Sequence, residues 1–193
     1  MIADVIIPAR GCDGWSAVGH AVTLSRMSRA RAVYVSTDDD GVAGLADVAG
    51  ATGVFRRPAG LSGGCDAAVE LALRQMRVSE MGTNVPDIVL MVQCSCRTLT
   101  TEDIDACISA LEAGNCESVF SAAPFSGYVW AESGNQVVPV NHPGRVRLRK
   151  VDCDTQWIET GGVYGFRVDE FLRTGSRFCG RTLAVPAKEA DHG

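Results

Sequence analysis

Residues 88–92 read Ile-Val-Leu-Met-Val, an unbroken apolar run that ends at Gln93. A strand with one wet face alternates apolar and polar residues. A run without alternation fits a strand covered on both faces, as in a parallel sheet flanked by helices. After a polar stretch, Thr101-Glu102-Asp103 opens a segment in which Ile104, Ile108 and Leu111 recur at helical spacing. Thr100 or Thr101 is the predicted N-cap, and Glu102, Asp103 and Asp105 put negative charge at the positive end of the helix dipole. Ligands of open α/β sheets bind just beyond the carboxyl ends of such strands. Gln93 and Ser95 therefore stand where a site belongs.

The rest of the chain repeats this alternation. Strands are predicted at Asp4–Pro8, Arg31–Ser36, Thr52–Phe55 and Glu117–Ala122. Helices are predicted at Ala17–Arg29 with Ser16 as cap, at Val42–Gly50 opened by Asp39 and Asp40, and from Asp66 to Met76. Asp38 and Asp39 form a carboxylate pair at a strand-to-helix junction, a place where such residues cap helices more often than they bind metal. After Pro124 the pattern changes. Tyr128–Ala131 and Gln136–Val140 flank Glu132-Ser133-Gly134-Asn135 as a hairpin, and Arg145–Asp154 is basic and extended. Ile158–Arg167 returns as a strand, followed by a short helix at Val168–Arg173 and a last strand at Thr182–Val185. The reading is one α/β domain over 1–193, a three-layer doubly wound and mostly parallel sheet, with an inserted β-hairpin segment at about 125–157.

A chain of 193 residues with apolar content near half has room for a sizeable core. Its formal charge of −5 speaks against a general nucleic-acid binder while leaving room for a local cationic pocket. No apolar run approaches the length of a membrane span, and Met1-Ile2-Ala3-Asp4 lacks the features of a signal peptide, so a cytoplasmic location is expected. The eight cysteines include no C-x-x-C pair, which favours neither a disulfide framework nor a zinc site. Cys94-x-Cys96 is the close pair, and it reads as small loop filler.

Several phrases, in order, resemble the acylneuraminate cytidylyltransferases, the CMP-sialic acid synthetase family. They are Ile6-Ile7-Pro8-Ala9-Arg10-Gly11, Val35-Ser36-Thr37-Asp38-Asp39, Phe55-Arg56-Arg57-Pro58-Ala59, and Val92-Gln93 with Ser95, Thr100 and Glu102-Asp103-Ile104-Asp105. Ser118-Val119-Phe120-Ser121, Arg149-Lys150-Val151-Asp152 and Glu159-Thr160-Gly161-Gly162-Val163-Tyr164 extend the likeness over nearly the whole chain.

The resemblance implies a nucleotide-diphospho-sugar transferase-like fold. It also implies transfer of CMP from CTP to the anomeric hydroxyl of a sialic-acid-like or other acidic keto sugar, with release of pyrophosphate. Mg²⁺ is the implied cofactor, and a homodimer formed through the hairpin the implied assembly. Such chemistry needs both substrates positioned and charge on the leaving pyrophosphate offset. By this resemblance Arg10, Gly11, Arg57 and Gln93 contact the nucleotide, with Arg10 and Gln93 acting in catalysis. Gln93, Arg149, Lys150 and Tyr164 contact the acceptor, whose carboxylate calls for cations. Asp191 is the carboxylate nearest the place where the family writes its metal-binding D-I-D.

Departures fall on the chemistry. The family's first loop carries a lysine and an asparagine, whereas Gly11-Cys12-Asp13-Gly14-Trp15-Ser16-Ala17-Val18-Gly19-His20 carries neither. Leu99 stands at an arginine position, and Val151 replaces a glutamine. Two alternatives follow: a catalytically silent relative kept for binding or dimerisation, and a nucleotidyltransferase for another acidic acceptor such as a phosphonate.

Overall fold

The computed structural model describes residues 1–11, 14–61, 64–78, 85–146, 149 and 154–187, apart from the Trp15 side chain. In chain order the described elements are β1 (Ala3–Pro8), α1 (Trp15–Met27), β2 (Ala32–Thr37), α2 (Asp40–Val48) and β3 (Gly53–Arg56). Then come α3 (Gly64–Val78), β4 (Ile88–Val92), α4 (Thr101–Glu112), β5 (Ser118–Phe125), β6 (Trp130–Ser133) and β7 (Gln136–Pro139). The last are β8 (Gln156–Arg167), α5 (Val168–Thr174) and β9 (Thr182–Pro186).

Seven strands form one sheet in the order β3-β2-β1-β4-β8-β5-β9. Pairing is parallel at β1/β2, β1/β4, β2/β3 and β5/β9, and β8 runs antiparallel between β4 and β5. The fold is thus α/β with a mixed, mostly parallel sheet. The apolar run at Ile88–Val92 is buried at every position, as a doubly covered strand requires. One core face is built from Val18, Val22, Val42, Ala46, Ile104 and Ile108 against Val5, Ile7, Val35, Leu90 and Val92. The other sets Val69, Leu73, Met76 and Phe171 against Ile6, Tyr34, Met91 and Phe166. Three layers result.

The helix starts show how local chemistry sets the frame. Thr100 caps α4 with a capping box: its hydroxyl accepts from the Asp103 N–H, and the Asp103 carboxylate accepts from the Thr100 N–H at 2.9 Å. Asp39 caps α2 by accepting from the Val42 N–H at 2.8 Å. Ser16 does not cap α1. That helix begins at Trp15 behind Gly14, whose φ of 82° ends the loop, and no side-chain bond caps it.

The antiparallel β8 carries the chief irregularity. Phe120 pairs with Tyr164 but Ala122 pairs with Glu159, so Thr160–Val163 bulge out opposite Ser121. Gly161, at φ 70°, supplies the left-handed residue the bulge needs. The Ser121 hydroxyl holds it, lying 2.6 Å from the Thr160 hydroxyl and accepting from the Val163 N–H at 2.9 Å.

β6 and β7 pair as a hairpin in a separate two-stranded sheet, with the first strand two residues later than predicted and Glu132 and Ser133 paired rather than in the turn. The basic stretch at 145–154 lies largely outside the described residues. No helix among the described residues is long and apolar enough to cross a membrane.

Candidate active site

The carboxyl ends of β1, β2, β3 and β4 converge on a cleft made of two adjoining cavities. One, of about 260 Å³, is lined by Pro8, Arg10, Arg57, Gly64, Cys65, Gln93, Cys94 and Ser95. The other, of about 360 Å³, is lined by Arg10, Asp38, Arg57, Gly60, Leu61 and Gly64. Arg10, Arg57 and Gly64 belong to both walls, so two guanidinium groups stand where the cavities meet. Together the cavities reach the range of roughly 300–1,000 Å³ usual for small-molecule sites.

Arg57 is the structural pin of this cleft. Its side chain is only 7% exposed. Its guanidinium donates to the Ala9 carbonyl at 2.7 Å and to Asp38 Oδ1 at 3.2 Å. Its backbone N–H donates to the Thr37 carbonyl at 3.1 Å. It therefore fixes the loop that presents Arg10, and part of its donor capacity is already used. Arg10 is exposed on the cleft wall. The Asp38 carboxyl is held below the usual carboxylate range, first by its own backbone N–H, then by Arg57 and by Arg10.

Gly11 lies against the helix-capping carboxylate: a Cβ there would come within 2.5 Å of Asp39 Oδ2. Close packing of loop on cap accounts for this glycine. The Gln93 N–H donates to the Gly162 carbonyl at 2.9 Å, so the β8 bulge positions the residue that ends β4. The Cys96 N–H in turn donates to the Gln93 carbonyl at 3.3 Å, closing the turn that carries Cys94 and Ser95. Cys94 is buried, and the Cys96 sulfur lies 3.7 Å from the Thr98 hydroxyl.

The structure thus brings Arg10, Arg57 and Gln93 into one cleft, with Gly11 beside it. It does not bring Tyr164 to the cleft wall. That ring is buried, its hydroxyl donates to Glu159 Oε2 at 2.7 Å, and the Arg177 guanidinium sits over it at 4.8 Å. Burial first, then the bond to Glu159, raises the Tyr164 pKa. Arg149 is exposed and is not among the described residues lining the cleft. Lys150 and Asp191 lie outside the described residues.

As for metal, the two carboxylates by the cleft are occupied, Asp38 by Arg57 and Asp39 by the α2 cap. No group of three or more His, Cys, Asp or Glu side chains converges on a common point among the described residues.

Sequence reasoning missed Gly64 and Cys65, because the helix there starts two residues before Asp66. It also missed the Ser121-held bulge. The Gly161-Gly162 doublet inside a strand was the available sign.

No family model matches the chain, and no curated protein matches it in sequence. Solved structures do match in shape. CMP:2-keto-3-deoxy-manno-octonic acid synthetase complexed with CTP matches at a TM-score of 0.62 and 14% identity, covering 97% of this chain and 91% of that one. The 4-diphosphocytidyl-2C-methyl-D-erythritol synthase of Anaerococcus prevotii matches at 0.65 and 13% identity, covering 97% and 89%. Another structure of 4-diphosphocytidyl-2C-methyl-D-erythritol synthase matches at 0.70 and 14% identity, covering 99% and 89%. At such identities the likeness is one of fold: a nucleotidyltransferase-like architecture spanning nearly the whole chain. It does not single out the CMP-sialic acid synthetases within that architecture.

Proposed function

We propose that the chain is a cytidylyltransferase that transfers CMP from CTP to a hydroxyl of an acidic keto sugar. The observation that carries this reading is the cleft at the carboxyl ends of β1 and β4, where Arg10 and Arg57 share a wall with Gln93 and Ser95. The fold it shares with a synthetase complexed with CTP supports the same nucleotide. In the reaction the acceptor oxygen forms a bond to the α-phosphorus of CTP. The bond from that phosphorus to the β-phosphate oxygen breaks, pyrophosphate leaves with the electron pair, and the hydroxyl proton passes to water.

Arg10 holds the polyphosphate, since a guanidinium offers two parallel donors to phosphate oxygens. Arg57 fixes the loop and adds charge at the junction of the cavities. Gln93, locked through Gly162, presents its amide between nucleotide and acceptor. Arg149 and Lys150 supply the cations for the acceptor carboxylate, with Tyr164 acting from behind the wall. Mg²⁺ dependence and dimerisation through the hairpin belong to the same proposal. Trp130, Val137 and Val140 are exposed on or beside that hairpin, apolar surface that a second copy would cover.

Pyrophosphate release with CTP, Mg²⁺ and a panel of keto acid sugars tests the reading, alongside calorimetry with each ribonucleoside triphosphate. Arg10→Ala is expected to weaken CTP binding roughly ten- to a hundred-fold, the loss of one or two charge-assisted contacts. No CTP binding together with no release for any acceptor would overturn it. A silent binding protein is the second reading, favoured by one observation: Arg57 already spends donors on Ala9 and Asp38. CTP binding without turnover in any assay would establish that reading instead.

A further inference from the structure

Behind the cleft, four side chains from three distant segments form one polar chain. Glu159 accepts from the Tyr164 hydroxyl at 2.7 Å. The Arg177 guanidinium lies 4.8 Å above the centre of the Tyr164 ring. Arg177 Nε donates to Asp66 Oδ1 at 2.7 Å, with the two side chains only 17% and 29% exposed. Phe178 meets Tyr164 edge-on at 5.8 Å and Phe120 at 6.0 Å, closing the same cluster.

Each end of this chain adjoins one wall of the cleft. Asp66 follows Gly64 and Cys65, which line it at the start of α3. Glu159 borders the Thr160–Val163 bulge, whose Gly162 carbonyl holds the Gln93 N–H of the opposite wall. We propose that Arg177 and Tyr164 form a strut joining these walls and fixing the width of the cleft for the nucleotide. Arg177 is thereby a positioning residue that touches neither substrate. The geometry suits the task. A guanidinium stacks on an aromatic face and donates in its own plane, so it can be held by the ring and hold Asp66 at once. Both side chains are largely shielded, which limits the replacement of either contact by water.

The proposal rests on the nucleotide reading for its effect on affinity, and its test separates the two. Cys65 stands in the wall the strut holds and is half-buried. Its alkylation by iodoacetamide, read by mass spectrometry of its peptide in the folded protein without ligand, reports wall position whether or not CTP binds. Arg177→Ala and Asp66→Ala are each expected to speed Cys65 alkylation roughly three- to ten-fold and to weaken CTP binding by a similar factor. The double variant should be no worse than either single one, because both remove the same link. Arg177→Lys, which keeps the charge without the planar stack, should recover part of the effect. Buried Cys107 is the control, and its alkylation should not change.

Unchanged Cys65 alkylation in both alanine variants overturns the strut, as do additive effects in the double variant. So does parallel exposure of Cys107, which would mean general loosening. If Arg177→Ala does not fold, Asp66→Ala alone decides. Failure of the wild-type protein to bind CTP would remove the nucleotide reading and leave the alkylation result to judge the strut.

Discussion

The Arg57 guanidinium donates to the Ala9 carbonyl at 2.7 Å across 48 residues of chain, and the same group reaches Asp38 at 3.2 Å. A loop after β3 is thereby tied to the loop after β1. Arg57→Ala leaves a buried carbonyl without this donor, a loss of about 1–3 kcal/mol, measurable as a shift in the urea midpoint. It also frees Asp38 from one of the groups that depress its pKa. A depressed carboxyl contributes stability above its unfolded value and loses it as pH falls through the folded value. The gap in stability between wild type and Arg57→Ala should therefore narrow as pH drops below the ordinary aspartate value of 3.8. A gap that widens on acidification contradicts the assignment.

Gly165 of β8 lies beneath α4 with no room for a side chain. A Cβ there would lie 2.7 Å from Leu90 Cδ1, 2.9 Å from Leu111 Cδ1 and 2.9 Å from Val119 Cγ2. Three core side chains would have to yield together, since packed interiors hold little free space. Gly165→Ala should cost about 1–3 kcal/mol, and thermal denaturation is the check. A neutral or stabilising result would show that the helix can lift without loss.

Asp4, fully buried in β1, is bridged by Arg31 at 2.9 and 2.5 Å. Burial raises its pKa above 3.8, and the bonds and charge of Arg31 offset this only in part. The folded protein then holds this proton to higher pH than the unfolded chain does. Between 3.8 and the folded value, the contribution of Asp4 to stability falls as pH rises. Asp4→Asn cannot ionise and lacks that slope. The stability of wild type relative to Asp4→Asn should decline across this window and then level off, as chemical denaturation at a series of pH values would show.

The thiols divide by burial. Cys107 is pushed up to about 12 by burial first, then by Asp103 and Cys116, and Cys179 to about 11 by burial and then Glu170. Cys65 and Cys96 are half-buried. Because the thiolate is the reactive form, native-state alkylation near neutral pH should mark Cys65 and Cys96 well before Cys107 and Cys179. Early labelling of Cys107 would mean that α4 opens readily.

Much of the fold could be read from short-range pattern. Ile88–Val92 declared a doubly covered strand, and Thr100 with Asp103 declared the start of α4. Asp39 declared the start of α2. Each is a statement about residues within one turn or one strand, where side-chain spacing and backbone satisfaction act directly. Arg10, Arg57, Gln93 and Ser95 could be proposed as site residues because strand ends in an α/β sheet share one edge.

The amino-acid sequence alone therefore determined the elements, their alternation and the edge on which a ligand would be met. Tertiary structure alone decided that β8 runs antiparallel between β4 and β5, that its bulge holds Gln93, and that Tyr164 packs beneath Arg177 with its hydroxyl on Glu159. It also decided that Arg57 serves Ala9 before any ligand. The reason is physical: periodicity records which face of an element is buried, but not which neighbour buries it. A hydrogen bond between residues 48 or 111 positions apart has no local signature. It exists only once the sheet has fixed both ends in space.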